Sequence, residues 1–237
     1  KSSKIICLFS DSFNDIYNLV SSINEKEILQ LKVKSSINEY EESDDQENYN
    51  HDKTKNEISK IKIELFISDI SHVESINQKF KGNMLLYKLK FGSNIQTLGD
   101  NSFSNCTALK QIEIPSSVTT IGNYAFNGCS SLEKISLPSS VTIIGNYAFS
   151  NCSSLKQLEL PSSVKTIGNY AFNGCTSLEQ ISIPSNITII KNNTFYGCNK
   201  LMQIVLPSSL KTIKNNTFYN CSNLNQIIFP SSLTSIG

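Results

Sequence analysis

The chain has 237 residues, a formal net charge of +1 at pH 7 and basic side chains that are all lysine. This length allows one repeat domain with a modest cap or a small second domain. Because arginine is favoured for bidentate recognition of guanine and phosphate, the composition argues against specific nucleic-acid recognition. The charge is divided unevenly, since residues 1–80 hold 15 acids and 10 lysines while the remainder holds 5 acids and 11 lysines.

Residues 1–57 have the pattern of a small α/β cap-like region, with degenerate repeats as the alternative. Residues 5–9 are an apolar run that predicts a buried strand, since the run is too short for a signal-peptide core or a membrane span. Apolar side chains at helical spacing predict an amphipathic helix over residues 12–24. These side chains are Phe13, Ile16, Tyr17, Val20 and Ile23. The alternation of Leu29, Leu31 and Val33 predicts a second strand.

A polar, acidic segment covers residues 37–57 and predicts a flexible loop. Asp44 and Asp45 offer carboxylates for calcium, but the segment lacks the ligand spacing and the closing glutamate of a calcium-binding loop. A solvated loop is therefore the better interpretation. From residue 58 onwards, alternating apolar residues predict a strand that begins the repeat domain.

A repeat of 23 residues organises the chain from about residue 80 to its end. Six cysteines, six prolines and six phenylalanines each recur at this step. The cysteines are Cys106, Cys129, Cys152, Cys175, Cys198 and Cys221. A fixed period of this length predicts a solenoid, in which each unit stacks on the next.

Residues 132–154 illustrate one unit. Leu132, Ile135 and Leu137 mark a short strand, which Pro138 ends because proline has no N–H to donate. Asn146 belongs to a column of Asn and Asp, the residues preferred at helix N-caps, and so predicts a single helical turn. The column before each cysteine is Gly or Asn, which tolerate a left-handed backbone. Each unit is thus predicted to contain a strand, a serine turn, an extended segment and one helical turn.

The repeat resembles the BspA-like subfamily of leucine-rich repeats. The matching stretch reads IGNYAFNGCSSLEKISLPSSVTIIG at residues 121–145. In the last two units Lys191 and Lys214 replace the glycine of this pattern, so we expect that the position does not require a positive φ. The resemblance implies an α/β-type leucine-rich repeat solenoid of short parallel strands, a protein-binding or adhesive surface, and no catalysis. We place the solenoid at residues 58–237 and expect it to be truncated before its C-terminal cap.

The chemically reactive side chains have structural roles that account for them. Stacked cysteines lie within disulfide reach and also raise the question of a metal site. Neither is favoured, because no C-x-x-C motif occurs and His51 and His72 are far from the cysteines in sequence. Buried, reduced thiols are expected instead. Since no nucleophile elbow, phosphate loop or dinucleotide fingerprint occurs, we expect neither an enzyme nor a cofactor.

The outward side of the predicted sheet carries the candidate binding residues. One column is mostly glutamine, and a second alternates lysine with glutamate and so predicts cross-strand ion pairs. A third column becomes apolar towards the C-terminus, and an exposed apolar patch can mark a contact site. Sequence beyond Gly237 that covers this patch is the alternative. The candidate protein-binding residues are Gln180, Gln203, Gln226, Met202, Val205 and Ile228.

We therefore expect a non-catalytic protein–protein interaction module that holds its ligand on the exposed face of the sheet. The reduced cysteine column favours an intracellular scaffold in the cytoplasm. A cell-surface adhesin that binds host or matrix proteins is the alternative, and six N-glycosylation sequons favour it. A structural spacer between other domains is a third possibility. Neither a nucleic-acid partner nor membrane insertion is expected.

Overall fold

The computed structural model describes residues 28–35, 61–67, 75–76, 80–84, 86–91, 93 and 95–237. The strand predicted at residues 5–9, the helix predicted at 12–24 and the acidic loop predicted at 37–57 lie outside the described residues. The boundary between the cap-like region and the solenoid at residue 57 therefore stays a prediction.

The described residues form strands and turns. The strands are β1 Ile28–Ser35, β2 Ile61–Ile67, β3 Ser75–Ile76, β4 Leu86–Phe91, β5 Thr97–Leu98, β6 Gln111–Glu113, β7 Thr120–Ile121, β8 Lys134–Ser136, β9 Ile143–Ile144, β10 Gln157–Glu159, β11 Thr166–Ile167, β12 Gln180–Ser182, β13 Ile189–Ile190, β14 Gln203–Val205, β15 Thr212–Ile213, β16 Gln226–Ile227 and β17 Ser235–Ile236.

The strands assemble into three sheets that run along the coil. The first sheet has the order β1-β2-β4-β6-β8-β10-β12-β14-β16, the second β3-β5-β7-β9-β11 and the third β13-β15-β17. Neighbouring strands of consecutive units are parallel, whereas β1 pairs antiparallel with β2. This confirms the predicted leucine-rich repeat solenoid. Strand β1 is the edge strand of the first sheet and pairs with the backbone of β2.

The core consists of side chains that recur once per unit. In each three-residue strand from β6 to β14 the central residue is buried and its two neighbours are exposed, as the period of two in a strand requires. The phenylalanine rings stack along the coil axis, with centroids 5.2 Å apart between Phe126 and Phe149 and 5.8 Å apart between Phe149 and Phe172. Aromatic rings at these separations attract one another beyond the area they bury.

The prediction of one helical turn in each unit is wrong, since the described units contain non-helical turns at this position. In the turn region, Ser104 N–H bonds back to Asn101 O at 3.2 Å, whereas Phe103 N–H donates to Ala125 O of the next unit at 2.7 Å. A helix would keep both bonds within its own segment. In addition, Tyr124 has a φ of 56°, so the chain leaves the right-handed helical region directly after the predicted cap.

The cysteines form a buried column of free thiols. Cys106, Cys129, Cys152, Cys175 and Cys198 are buried and Cys221 is half-buried, which confirms the predicted burial. Each thiol donates to the carbonyl oxygen of a phenylalanine in the preceding unit, for example Cys152 Sγ to Phe126 O at 3.1 Å. Burial raises the pKa of Cys106 and of Cys175 to about 12. Cys7 lies outside the described residues.

A column of glycines allows adjacent units to approach closely. A Cβ atom on Gly145 would lie 2.6 Å from Asn123 N and 2.6 Å from Gly122 C of the preceding unit. Gly122 and Gly145 do not have a positive φ. The expectation that this position does not require a positive φ is therefore confirmed, and the glycine is needed for space instead.

The run of glycines in this column is interrupted by Lys191 and Lys214, where the second sheet ends. Strand β11 precedes Gly168 and strand β13 precedes Lys191, and these two strands belong to different sheets. We call the junction between β11 and β13 the seam. Lys191 is the first residue after Gly168 in this column, and it lies directly after the interruption. Beyond the seam the spacing is regular again, since Lys214 N–H donates to Ile190 O at 2.9 Å.

Replacing Gly145 with alanine should destabilise the protein. The added Cβ would collide with backbone atoms, which cannot rotate away, and forced repacking of this kind costs about 1–3 kcal/mol. Chemical denaturation followed by circular dichroism measures the change. Lys214→Ala is the matched control, since this position already carries a Cβ, and its effect should stay within about 0.5 kcal/mol. Equal effects of the two substitutions would contradict the close-approach role of glycine.

Candidate binding surfaces

The outward side of the first sheet is one candidate surface, which we call the sheet face. Gln157 pairs in register with Gln180, Gln180 with Gln203, and Gln203 with Gln226. The predicted glutamine column is therefore a straight row of exposed amides, with neighbours separated by about 4.8 Å, the strand spacing. Each amide group carries both donors and an acceptor for a ligand.

Ion pairs occupy the N-terminal part of the sheet face. Lys90 Nζ lies 2.9 Å from Glu113 Oε2, and Lys110 Nζ lies 3.0 Å from Glu133 Oε1. The hydrogen bond to Glu133 and its negative charge raise the pKa of Lys110. The Lys110–Glu133 pair lies in the column where the sequence predicted cross-strand ion pairs, whereas the Lys90–Glu113 pair lies in the third column and was not predicted. Because both pairs are exposed, water weakens them.

The C-terminal part of the sheet face is apolar and lacks acids. Met202, Val205 and Ile228 are 47%, 50% and 85% exposed, and no Asp or Glu follows Glu179 in the sequence. A shallow groove of about 530 Å³ lies between strands β10, β12 and β14. Of the candidate residues, Gln180, Gln203 and Val205 line this groove. Gln226, Met202 and Ile228 lie outside its lining.

A second and larger groove, of about 750 Å³, runs along the turn regions of the units, and it was not predicted from the sequence. Two adjacent columns line it, and we call it the Tyr–Asn groove. The first column consists of Asp100, Asn123, Asn146, Asn169, Asn192 and Asn215. The second column consists of Asn101, Tyr124, Tyr147, Tyr170, Asn193 and Asn216.

The first column of the Tyr–Asn groove links the units and does not cap helices. Asn123 Oδ1 accepts the backbone N–H of Asn146 at 2.9 Å, and Asn146 Oδ1 accepts that of Asn169 at 2.8 Å. The prediction that Asn146 is a helix N-cap is therefore wrong, although the observed hydrogen bond is of the same kind as that of an N-cap. In both arrangements an amide oxygen satisfies a backbone N–H, but here the N–H belongs to the next unit.

The second column contains tyrosines in a left-handed backbone conformation. Tyr124, Tyr147 and Tyr170 have φ values of 56°, 55° and 57°. This region costs a residue with a Cβ about 1–2 kcal/mol, so it is unusual for a bulky side chain. The rings stack with centroids 4.7 Å apart for the first pair and 4.5 Å apart for the second.

A signal for this left-handed column is present in the sequence. Asn101, Asn193 and Asn216 occupy the same column in other units, with φ values of 57°, 55° and 56°. Asparagine tolerates this conformation better than other residues with a Cβ. The tyrosines therefore have a backbone conformation that asparagine adopts more easily. Residues in sparsely populated φ/ψ regions cluster at functional sites.

Metal sites and membrane spans each need a recognisable arrangement of residues. Within the described part of the chain, no group of three or more His, Cys, Asp or Glu side chains is arranged to hold a metal ion. The same residues contain no helix that is long and apolar enough to cross a membrane.

Known proteins resemble this chain in both sequence and fold. The sequence matches the BspA type leucine-rich repeat region over residues 48–172, 74–201 and 142–237. No curated protein matches the sequence significantly.

Solved structures of bacterial proteins share the fold. A leucine-rich repeat protein from Bacteroides ovatus is 32% identical over 74% of this chain and 51% of its own, with a TM-score of 0.65. A leucine-rich repeat protein from T. pallidum is 29% identical over 70% of this chain and 83% of its own, with a TM-score of 0.62. The chain spans about half the length of the B. ovatus protein. With its repeat, its parallel solenoid and these relatives, the chain belongs to the BspA-type leucine-rich repeat family.

Proposed function

We propose that the protein is a non-catalytic protein-interaction module that holds a protein partner on the sheet face and acts as an intracellular scaffold. The observation that carries this proposal is the set of exposed apolar side chains beside the glutamine row. Met202 directly precedes Gln203, Val205 follows it two positions later, and both are about half exposed. Apolar side chains surrounded by polar groups are typical of protein contact sites.

The electrostatics of the sheet face favour an uncharged partner surface. Its N-terminal part has paired charges, and among the described residues that line its groove Glu159 carries the one charge. Complementary charge speeds association and selects among partners more than it adds affinity. The apolar and amide groups at the C-terminal part supply the contact itself.

Three substitutions test the sheet face with residues that the chain already uses in the same columns. The variant is Met202→Lys/Gln203→Lys/Val205→Ser. The three new residues are those found at the equivalent positions of other units, namely Lys110, Lys134 and Ser182. Immobilised wild-type protein should retain a specific partner from source-cell extract, and the variant should retain at least tenfold less by quantitative mass spectrometry. Loss of a buried central contact produces effects of this size, about 1.4 kcal/mol or more.

The control for this experiment changes an exposed side chain outside the sheet face. Tyr219→Asn introduces the residue found at Asn127 and Asn173 in the same column, and it should leave retention unchanged. Equal retention by the sheet-face variant and the wild-type protein would reject the sheet face as the binding site.

A cell-surface adhesin remains the second candidate. The exposed asparagines at sequon positions, such as Asn105 and Asn186, favour it, because an acceptor asparagine must be accessible. The free, buried cysteines favour the scaffold, since disulfides are usual in secreted proteins. Antibody labelling of intact and of permeabilised cells distinguishes the two, because a scaffold is labelled only after permeabilisation.

A further inference from the structure

We propose that the Tyr–Asn groove binds a proline-rich peptide in the polyproline II conformation. Among the described residues, none lines both this groove and the groove on the sheet face. It is therefore a second site, and it does not depend on the proposed function of the sheet face. Four features support a ligand of this chemistry, namely the free donors, the exposed tyrosine edges, the repeat distance and the low charge of the lining.

The asparagine side chains of the groove can donate hydrogen bonds to a ligand, whereas their Oδ1 atoms already accept hydrogen bonds within the protein. The Oδ1 atoms of Asn123, Asn146 and Asn169 accept backbone N–H groups of the following units. Each side-chain amide also carries two N–H hydrogens, and at most one of these bonds to a neighbour, as from Asn169 Nδ2 to Asn146 Oδ1 at 3.3 Å. At least one N–H per unit is therefore left for a ligand, which must supply acceptors.

The tyrosines present their ring edges, because stacking covers both faces of the central ring and one face of each outer ring. Tyr147 is sandwiched between Tyr124 and Tyr170. Its pKa is raised, first by burial, then by the charges of Tyr170 and Tyr124, and also by a hydrogen bond with the Tyr170 side chain. The row of rings thus gives an apolar edge with a polar rim.

A polyproline II peptide has the chemistry that this lining requires. It forms no internal hydrogen bonds, so its backbone carbonyl groups remain free to accept, and its proline rings pack on aromatic side chains. It also loses little conformational entropy on binding, because the free peptide already populates the bound shape.

The repeat distances of peptide and groove agree. The stacked rings are 4.7 and 4.5 Å apart, which places Tyr124 and Tyr170 about 9 Å apart. A polyproline II helix advances about 3.1 Å per residue with three residues per turn, or about 9.3 Å per turn. Peptide residues one turn apart therefore meet equivalent positions on Tyr124 and Tyr170. An extended strand repeats after about 6.6–6.8 Å and loses this register.

The charge of the lining restricts the ligand further. Among the described residues that line the groove, Asp100 carries the one carboxylate, and it lies at the N-terminal end. An uncharged peptide suits the central part, and a lysine or arginine next to the proline segment suits the end near Asp100, because opposite charges attract at close range.

Fluorescence anisotropy with labelled decaproline tests the proposal directly. Decaproline should bind the wild-type protein at least tenfold more tightly than a Gly-Ser peptide of equal length. The variant Tyr124→Asn/Tyr147→Asn/Tyr170→Asn should bind decaproline at least tenfold more weakly than the wild-type protein. Asparagine occupies this column at Asn101, Asn193 and Asn216 with the same φ, so the variant keeps the backbone that the groove requires. Circular dichroism verifies that it folds.

Two further variants test whether decaproline binds elsewhere on the solenoid. Tyr219→Asn removes an exposed, stacked tyrosine outside the groove and should leave decaproline binding unchanged. The sheet-face variant Met202→Lys/Gln203→Lys/Val205→Ser should also bind decaproline normally, so failure of one proposal is distinguishable from failure of the other.

Three results would overturn the proposal. These are absence of decaproline binding, equal binding of the Gly-Ser peptide, and undiminished binding by the triple tyrosine variant. Cellohexaose, a neutral linear oligosaccharide, serves as a competing probe. If it binds through the tyrosines while decaproline does not, the groove is a glycan site and the peptide proposal is rejected.

Discussion

Replacing Phe149 with alanine should lower the free energy of unfolding by about 3–5 kcal/mol. Phe149 is 0% exposed and stacks on Phe126 and Phe172 on its two sides. The substitution removes the ring from a column that joins three units and leaves a cavity between them. In a solenoid each unit is stabilised mainly by its neighbours, so this loss weakens two interfaces at once. Urea denaturation followed by circular dichroism measures the effect.

Phe229→Ala is the control for this prediction, because Phe229 is 49% exposed. The control should cost less than about 1 kcal/mol, as is usual for substitutions outside a packed core. Similar losses for the two variants would show that the stacked phenylalanine column does not dominate the stability of the central units.

Raising the pH above about 9 should destabilise the folded protein strongly. Burial raises the pKa of Cys106 and Cys175 to about 12, and it also raises the pKa of Cys129 and Cys152 well above the usual value. The exposed thiols of the unfolded chain ionise near pH 9, while the buried thiols remain protonated. The contribution of these thiols to stability is thus complete below pH 9 and is lost as the pH rises from about 9 towards about 12. Each buried thiol contributes a slope of about 1.4 kcal/mol per pH unit within this range.

Urea midpoints measured between pH 7 and pH 10.5 under reducing conditions test this expectation. The matched variant is Cys152→Ala/Cys175→Ala, which removes two buried thiols and adds no charge. Its stability should fall less steeply with pH than that of the wild-type protein. Lysine and tyrosine ionisation is common to both proteins and cancels in the comparison. Equal slopes would mean that the cysteine column does not control alkaline unfolding.

The strand part of each unit was predictable because it depends on a short local pattern. Ile135 and Leu158 lie at the buried centre of their strands, as the alternation required, and prolines follow each strand. The positive φ of Gly128 and Asn151, at 73° and 59°, was also predictable, since few residue types adopt that conformation. These features follow from the preferences of individual residues repeated in phase.

The turn region was not predictable in the same way. The preference of Asn146 for helix N-caps is real, but here its side chain bonds to Asn169 of the next unit, and this partner exists only after the units stack. Likewise, the left-handed conformation of Tyr147 contradicts the preference of tyrosine. Interactions between units therefore override local preference at these positions, and the Tyr–Asn groove results from that override.

The sheet-face residues were named from their outward position alone. The structure places Gln180, Gln203 and Val205 in one groove and leaves Ile228 exposed directly after β16. Their role in binding stays a prediction, because outward position and exposure are common to every residue of a solenoid surface.

The seam gives the coil a direction of easy bending. On one side the first sheet continues through β10, β12 and β14, and in the turns Phe172 N–H still donates to Thr194 O at 2.9 Å. On the other side the ladder is cut between β11 and β13. A solenoid whose backbone hydrogen bonds are continuous on one side and interrupted on the other bends most easily in the direction that separates the units at the interruption. We therefore expect the curvature of the coil to vary chiefly where β11 faces β13, so that the distance between the two ends of a ligand-covered surface adjusts there without unfolding either half.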